Sequence, residues 1–270
     1  MIQRPQHFSP QNALAFHDQS VVTAYRYRPP YPDEIFTILL NLINTTPRRV
    51  LDVGCGTGNL ARHLAPLVDH VDAVDFSQAM IEQGKQLPNG DHPHLRWLHG
   101  RIEDVPLDPP YSLVTAGASL HWLDWSVVLP RFRSVLRPNS YLAIVGHGTT
   151  PDPWSLLQDI VTRYRTDGVY QPFNLIAELT THGLFHQVGE QQTEPVPFTQ
   201  SLDDCIESYH SRSGFSRERM GAEQAAAFDQ EAYTLLRQSY PDEMIPLTVV
   251  GSVVWGFPAQ AKNRTNVLHI

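Results

Sequence analysis

The chain has 270 residues, 41% hydrophobic and 18% charged, which is enough apolar content for a packed core and excludes a disordered or coiled-coil chain. A formal net charge of −8 at pH 7, with no run of lysines or arginines to offset it, speaks against a nucleic-acid partner. Two cysteines, Cys55 and Cys205, make neither a metal spacing nor a disulfide framework; with no long apolar run and no signal-like start, the expectation is a soluble, cytoplasmic protein without a membrane partner.

A proline-rich turn, Arg28-Pro29-Pro30-Tyr31-Pro32, precedes a helix predicted over 33–43. A short apolar strand over 49–53 runs into Gly54-Cys55-Gly56-Thr57-Gly58. Leu60, Ala61, Leu64, Leu67 and Val68 recur at helical spacing and predict a helix over 59–68. A strand over 70–75 follows, then Ser77 as the N-cap of a helix through Ala79, Met80 and Ile81. Strands over 95–98 and 112–116 come next, then a helix over 125–136, broken by Arg137-Pro138-Asn139, and a fifth strand over 141–145. This alternation predicts an α/β fold with a parallel sheet covered on both faces. Beyond it, helices are predicted over 154–164, 175–181, 201–209 and 223–238, and strands over 185–191 and 247–255. The basic stretch from Arg212 to Arg219 also carries Glu218 and reads as a solvated helix start. The expected organisation is an N-terminal lid over 1–45, a core over 46–150, and a remainder, 151–270, that continues the same domain with helical insertions capping a pocket.

The glycine loop is the strongest functional signal. Alternate glycines permit a tight strand-to-helix turn and close approach of a ligand to the backbone. Asp75 ends the next strand, where a carboxylate can bond both hydroxyls of a ribose. A nucleoside triphosphate would need a Gly-Lys-Ser/Thr ending, which is missing. A dinucleotide would set its pyrophosphate against Asp52, and its usual glycine spacing ends one residue later. S-adenosyl-L-methionine has no phosphate and carries an ammonium and a sulfonium, so Asp52 changes from an obstacle into a partner.

Leu51-Asp52-Val53-Gly54-Cys55-Gly56-Thr57-Gly58 resembles motif I of class I S-adenosylmethionine-dependent methyltransferases. Val74-Asp75-Phe76-Ser77-Gln78-Ala79-Met80 resembles their second motif. Gly100-Arg101-Ile102-Glu103-Asp104-Val105-Pro106 resembles their "G-D-A-E-x-L-P" stretch, and Arg137-Pro138-Asn139-Ser140 their "L-x-P-G-G" turn. The resemblance covers roughly residues 25–145. It implies a Rossmann-like, seven-stranded, mostly parallel sheet with an antiparallel last strand and helical insertions. It also implies an enzyme that transfers a methyl group from S-adenosyl-L-methionine, leaving S-adenosyl-L-homocysteine. By the same resemblance, Asp52 and the backbone of Gly54, Cys55, Gly56 and Gly58 hold the methionine part, and Asp75 holds the ribose. Phe76 and Met80 flank the adenine, Ile102 and Glu103 lie at its edge, and Ala116 lies near the sulfonium. Arg101 and Asn139-Ser140 depart from the family pattern; the first bears on one contact near the adenine and the second is a turn variant.

Two further stretches, Tyr25-Arg26-Tyr27-Arg28-Pro29-Pro30-Tyr31-Pro32 and Ala118-Ser119-Leu120-His121-Trp122-Leu123-Asp124, are similar to a trans-aconitate methyltransferase-like subgroup acting on small acids and natural products. Tyr25, Arg28 and Tyr31 are candidates for a lid, and Arg28 can pair a carboxylate of cofactor or substrate with two hydrogen bonds; Tyr25 and Tyr31 serving only as packing is the alternative. His121 follows the fourth strand at the ligand edge and is a candidate general base, or a residue that only shapes the pocket. His147 is a second candidate, and Trp122 reads as pocket wall. No metal is implied, since Asp, Glu and His lack ligand spacing. The expected partner is a small-molecule acceptor, its acceptor atom oxygen, nitrogen or carbon, and either a monomer or a homodimer fits. Two rivals stand beside this reading. One is a dinucleotide-dependent (NAD-type) oxidoreductase, disfavoured by Asp52. The other is a protein of this fold that keeps the cofactor for regulation or non-methyl chemistry.

Overall fold

In the computed structural model, which describes residues 4–259, strand–helix alternation builds one sheet. Two short helices, α1 (Pro10–Ala13) and α2 (Gln19–Ala24), lead into α3 (Glu34–Asn41). The core then runs β1 (Arg49–Val53), α4 (Ala61–Leu64), β2 (His70–Asp75), α5 (Gln78–Lys85), β3 (Leu95–His99), β4 (Tyr111–Gly117), α6 (Trp125–Val135) and β5 (Leu136–Thr150). The remainder is α7 (Trp154–Tyr164), α8 (Leu175–Thr181), β6 (Phe185–Gln192), β7 (Val196–Ser201), α9 (Leu202–His210), α10 (Arg217–Met220), α11 (Ala222–Ser239) and β8 (Met244–Pro258).

The sheet order is β3-β2-β1-β4-β5-β8-β6. The first five strands are parallel, and β8 runs antiparallel to β5, β6 and β7. The order reverses between β1 and β4, so their carboxyl ends open the crevice where α/β sheets bind ligands. Strand alternation sends Val50 to one face and Leu51 and Val53 to the other. On the first face Val50, Val71 and Leu113 pack against Ile35 and Leu39 of α3 and Leu64 of α4. On the second, Leu51, Val53 and Val114 pack against Val128, Leu129 and Phe132 of α6. A third cluster, with Leu157, Ile206, Tyr209, Phe215 and Phe228, is built within the C-terminal insertions and forms a cap.

Three sequence expectations are corrected. The sheet has eight strands rather than seven. The long β8 pairs β6 along its second half and still has edge free along its first half, which β7 takes. Residues 196–201 were not predicted as a strand; Pro197 is tolerated in β7 because an edge position has no need of its missing N–H. The helix predicted over 59–68 shrinks to α4 followed by a 3-10 turn, Ala65–Leu67, because Pro66 cannot donate in the ladder. Residues 137–139 do not separate helix from strand. Leu136 already pairs Tyr111, the register shifts, and Asn139 adopts φ 62°, a left-handed turn that Asn tolerates in place of glycine. Among the described residues no helix is long and apolar enough to cross a membrane.

Candidate functional site

The site begins where β1 and β4 end. Asp52 pairs in register with Thr115 of β4, and Thr115 Oγ1 donates to Asp52 Oδ1 at 2.8 Å. Asp52 is 1% exposed and makes no ion pair among the described residues. Burial pushes its carboxyl up to about 7, against the Thr115 bond that favours the anion. A buried carboxylate without a cation is suited to a ligand that brings one, and an anionic pyrophosphate there would meet it unfavourably.

The glycine loop follows directly. Gly54 has φ +61°, and a Cβ there would fall 2.6 Å from Ser119 Cβ, so glycine is required for the loop after β4 to close in. Ser119 Oγ donates to Val53 O at 2.5 Å, fixing that approach. At Gly56, φ +56°, a Cβ would meet only the Tyr25 ring, at ordinary contact distance. The open side of the loop thus faces the N-terminal segment. Asp75 ties the loop to the second strand. Its Oδ2 accepts the Gly56 N–H at 2.7 Å and its Oδ1 the Ser77 N–H at 2.8 Å. Burial raises the Asp75 carboxyl, opposed by these two backbone bonds. Each carboxylate oxygen keeps a lone pair for a hydroxyl.

Residues 4–32 lie across this edge. Tyr25 covers Gly56, and the Arg28 guanidinium sits 4.0 Å from the Tyr25 ring centroid. Arg28 donates to Tyr25 Oη at 3.1 Å, to Ser211 Oγ at 2.7 Å and to Ser211 O at 2.6 Å. Arg28 therefore bridges the segment to the cap and has no carboxylate partner among the described residues. Tyr31 packs edge-on against His147, ring centroids 4.9 Å apart. Ser77 caps α5 through Met80 N–H and donates to Phe16 O at 2.7 Å. Phe76 meets His17 edge-on, and Met80 is buried with Val21 and Val22 of α2.

Two cavities meet here. A small one, about 40 Å³, is lined by Asp52, Gly54, Cys55, Gly117 and Tyr31. A larger one, about 470 Å³, lies between the N-terminal segment and the cap, with His121, Trp122, Trp154, Arg165, Asp167 and Arg212 on its walls. Tyr25, Arg28, Pro29, Ala118 and His147 line both, so these five form the junction. Burial, then the charges of Arg28, His7 and Arg4, hold His121 down at about 3. Burial with Arg28 and Arg212 holds His147 at about 4. Both imidazoles are neutral at pH 7 and weakly basic.

The structure thus brings together Asp52, Gly54, Cys55, Gly56, Asp75, Tyr25, Arg28, Tyr31, His121, Trp122 and His147. The segment carrying Ile102 and Glu103 follows β3 at this same edge, where the Gly100 N–H donates to Asp75 O at 2.9 Å. Ile102 is buried in the core cluster under α6, and Glu103 pairs with Arg101 at 3.4 Å. Ala116 turns into that same cluster; two residues on, Ala118, with φ +49°, is the one at the junction. Sequence reading missed Thr115, gave Ala118 and Ser119 no role of their own within the acceptor-side stretch, and missed Arg4, which donates to the carbonyls of His121 and Leu123 at 3.2 and 2.5 Å. Thr115 was findable as a polar residue, with Ser112, within an otherwise apolar strand; Arg4 gave no signal. Among the described residues no cluster of three or more His, Cys, Asp or Glu could hold a metal ion.

A family described as a methyltransferase domain matches residues 50–139. A malonyl-[acyl-carrier protein] O-methyltransferase from Halalkalibacterium halodurans is 34% identical over 120 residues, 42% of this chain and 43% of that one. The chain spans about half the length of the curated relatives it matches. Among solved structures, a protein from Anaeromyxobacter dehalogenans described as a type II methyltransferase superposes with a TM-score of 0.63 at 24% identity, over 86% of this chain and 99% of that one. A methyltransferase from Geobacter sulfurreducens, solved with S-adenosyl-L-homocysteine, gives 0.50 at 16% identity, over 96% and 100%. At these identities the structural likeness speaks to the fold.

Proposed function

We propose that the chain, whose residues 50–139 match a methyltransferase domain, is a class I S-adenosylmethionine-dependent methyltransferase that moves the methyl group of that cofactor to a small carboxylic acid. The cofactor, when bound, supplies a methyl group on a sulfonium whose sulfur keeps the bonding pair as it leaves. Asp52 fits its cationic end, being buried, ionisable and without a cation of its own. The open side of Gly56 fits its close approach to the backbone, and the free lone pairs of Asp75 fit the ribose hydroxyls. The N-terminal segment excludes water and holds the acceptor in line.

The observation that carries the acid is the character of the junction. Arg28 is half-buried there without a carboxylate, and burial, added to by the positive charge of Arg28, depresses His121 and His147. An imidazole this weakly basic removes a proton from an alcohol or amine poorly. A carboxylate oxygen needs no base: it offers its electron pair for the new carbon–oxygen bond, and no proton has to leave. His121 in this reading lines the cavity. The O-methylation of malonyl-[acyl-carrier protein] named for one relative is consistent with an oxygen acceptor. The test is labelled cofactor incubated with separate pools of acids, phenols and amines. Base-labile label in the acid pool is expected. Label confined to phenols or amines overturns the acid, and a folded protein that binds no S-adenosyl-L-homocysteine overturns the whole reading.

A further inference from the structure

The six arginines between Pro151 and Pro258 are not equivalent. Arg163 pairs with Glu231, Arg165 with Asp167, Arg217 with Glu207 and Asp229, Arg219 with Asp18 and Arg237 with Glu243. Arg212 alone has no carboxylate and no side-chain hydrogen bond among the described residues. Its guanidinium lies instead over two aromatic rings, 4.5 Å from the Tyr209 centroid and 5.2 Å from that of Trp154. Those rings are stacked at 16° and 6.1 Å. Arg212 lines the 470 Å³ cavity.

Of the two carboxylates on the cavity wall, Asp167 is taken by Arg165 and by the Ser213 hydroxyl, and Asp152 accepts the Trp154 backbone N–H at 3.0 Å. Neither reaches Arg212. A guanidinium held over aromatic rings with no hydrogen-bond partner of its own keeps its N–H groups available, and such a fork binds a carboxylate through two parallel bonds.

We infer that Arg212 selects the acceptor, gripping a carboxylate that the acceptor carries inside the cavity between cap and N-terminal segment. This rests on the methyltransferase reading above. It goes beyond it in placing recognition on the cap, in a residue that belongs to none of the cofactor motifs.

The test is calorimetric titration of protein saturated with S-adenosyl-L-homocysteine. The probes are four- to ten-carbon aliphatic and aromatic carboxylic acids, each beside its primary amide. Saturation with the product cofactor comes first, so a failure of the cofactor reading is seen before any acid is added. The wild type should bind at least one acid and not its amide. Arg212→Gln should weaken that acid about 10- to 100-fold, the scale of hydrogen bonds to a charged group. Arg212→Lys, with charge but no planar fork, should fall between. S-adenosyl-L-homocysteine affinity should hold in both variants and Tm should change little, since Arg212 is exposed and its side chain makes no hydrogen bond or ion pair among the described residues. Arg212→Gln binding the acid as the wild type does, or a wild type that does not prefer any acid to its amide, overturns the inference.

Discussion

Asp52 is placed to couple ligand binding to pH. Its carboxyl, pushed up to about 7 by burial, is about half protonated at neutrality. Only the anion attracts a cation, so S-adenosyl-L-methionine should bind more tightly as pH rises from 6 to 7.5. Asp52→Asn should flatten that dependence and weaken binding by about 1.5–3 kcal/mol; calorimetry at the two pH values measures both, and a wild type indifferent to pH would count against the role. The two loop glycines should separate stability from binding. Gly54→Ala drives a Cβ to 2.6 Å from Ser119 in a left-handed residue, and should cost about 1–3 kcal/mol in denaturant unfolding. Gly56→Ala meets only ordinary contact with Tyr25, so it should cost less stability and more cofactor affinity. Equal behaviour of the two variants would remove the distinction between a packing glycine and a ligand-facing one.

Elements far apart in sequence are joined by polar bonds. The N-terminal segment is latched to the cap start. Asp18 Oδ2 accepts from Arg219 at 2.9 Å and from Ser216 Oγ at 2.6 Å, and Glu218 accepts the Ser20 N–H at 2.9 Å. The Arg217 N–H donates to Ser20 Oγ at 3.1 Å, and Gln200 donates to the carbonyl of Tyr27 at 2.7 Å. The basic stretch expected to be a solvated helix start is instead the receiving half of this latch. Asp18→Ala breaks two of its bonds and strands a half-exposed arginine in solvent, so it should cost about 1–2 kcal/mol. Limited proteolysis should then cut first within residues 4–32, with the sheet surviving; cleavage unchanged from wild type would mean the latch does not hold the segment down.

The whole molecule responds to acid through its half-buried imidazoles. His121 and His147 are held at about 3 and about 4, below the ordinary value of 6.5. As pH falls below 6.5, the unfolded chain takes up protons at these positions while the folded protein does not. Stability is therefore full above pH 6.5 and is lost as pH falls toward 4. Asp52, raised rather than lowered, works in the opposite direction, favouring the folded state as pH falls. A His121→Phe, His147→Phe variant isolates the imidazoles: its unfolding free energy should decline less between pH 6.5 and 4.5 than that of the wild type. Parallel curves for the two proteins would show that the imidazoles carry none of the loss.

The parallel α/β core was legible because its signals are local. The apolar run 49–53, the alternate glycines after it, the N-cap at Ser77 and the aspartates at two strand ends each follow from short-range periodicity and backbone conformation, and the structure places them as read. The tertiary structure alone decided which side chains line the candidate site. Ala116 and Ala118 look alike in sequence, yet one turns into the core and the other, past the strand end in a left-handed conformation, reaches the junction. Strand β7 exists because β8 is long enough to leave an edge for it, a fact of pairing rather than of residues 196–201 themselves. The same holds for the arginines from 212 to 219. Composition makes them equal, and only the distant partners the fold supplies, Asp18 some 200 positions away for Arg219 and no carboxylate among the described residues for Arg212, separate a latch from an arginine laid over aromatic rings. Local chemistry specifies the turn and the strand, but pairing of charges across the chain depends on long-range packing that no window of sequence contains.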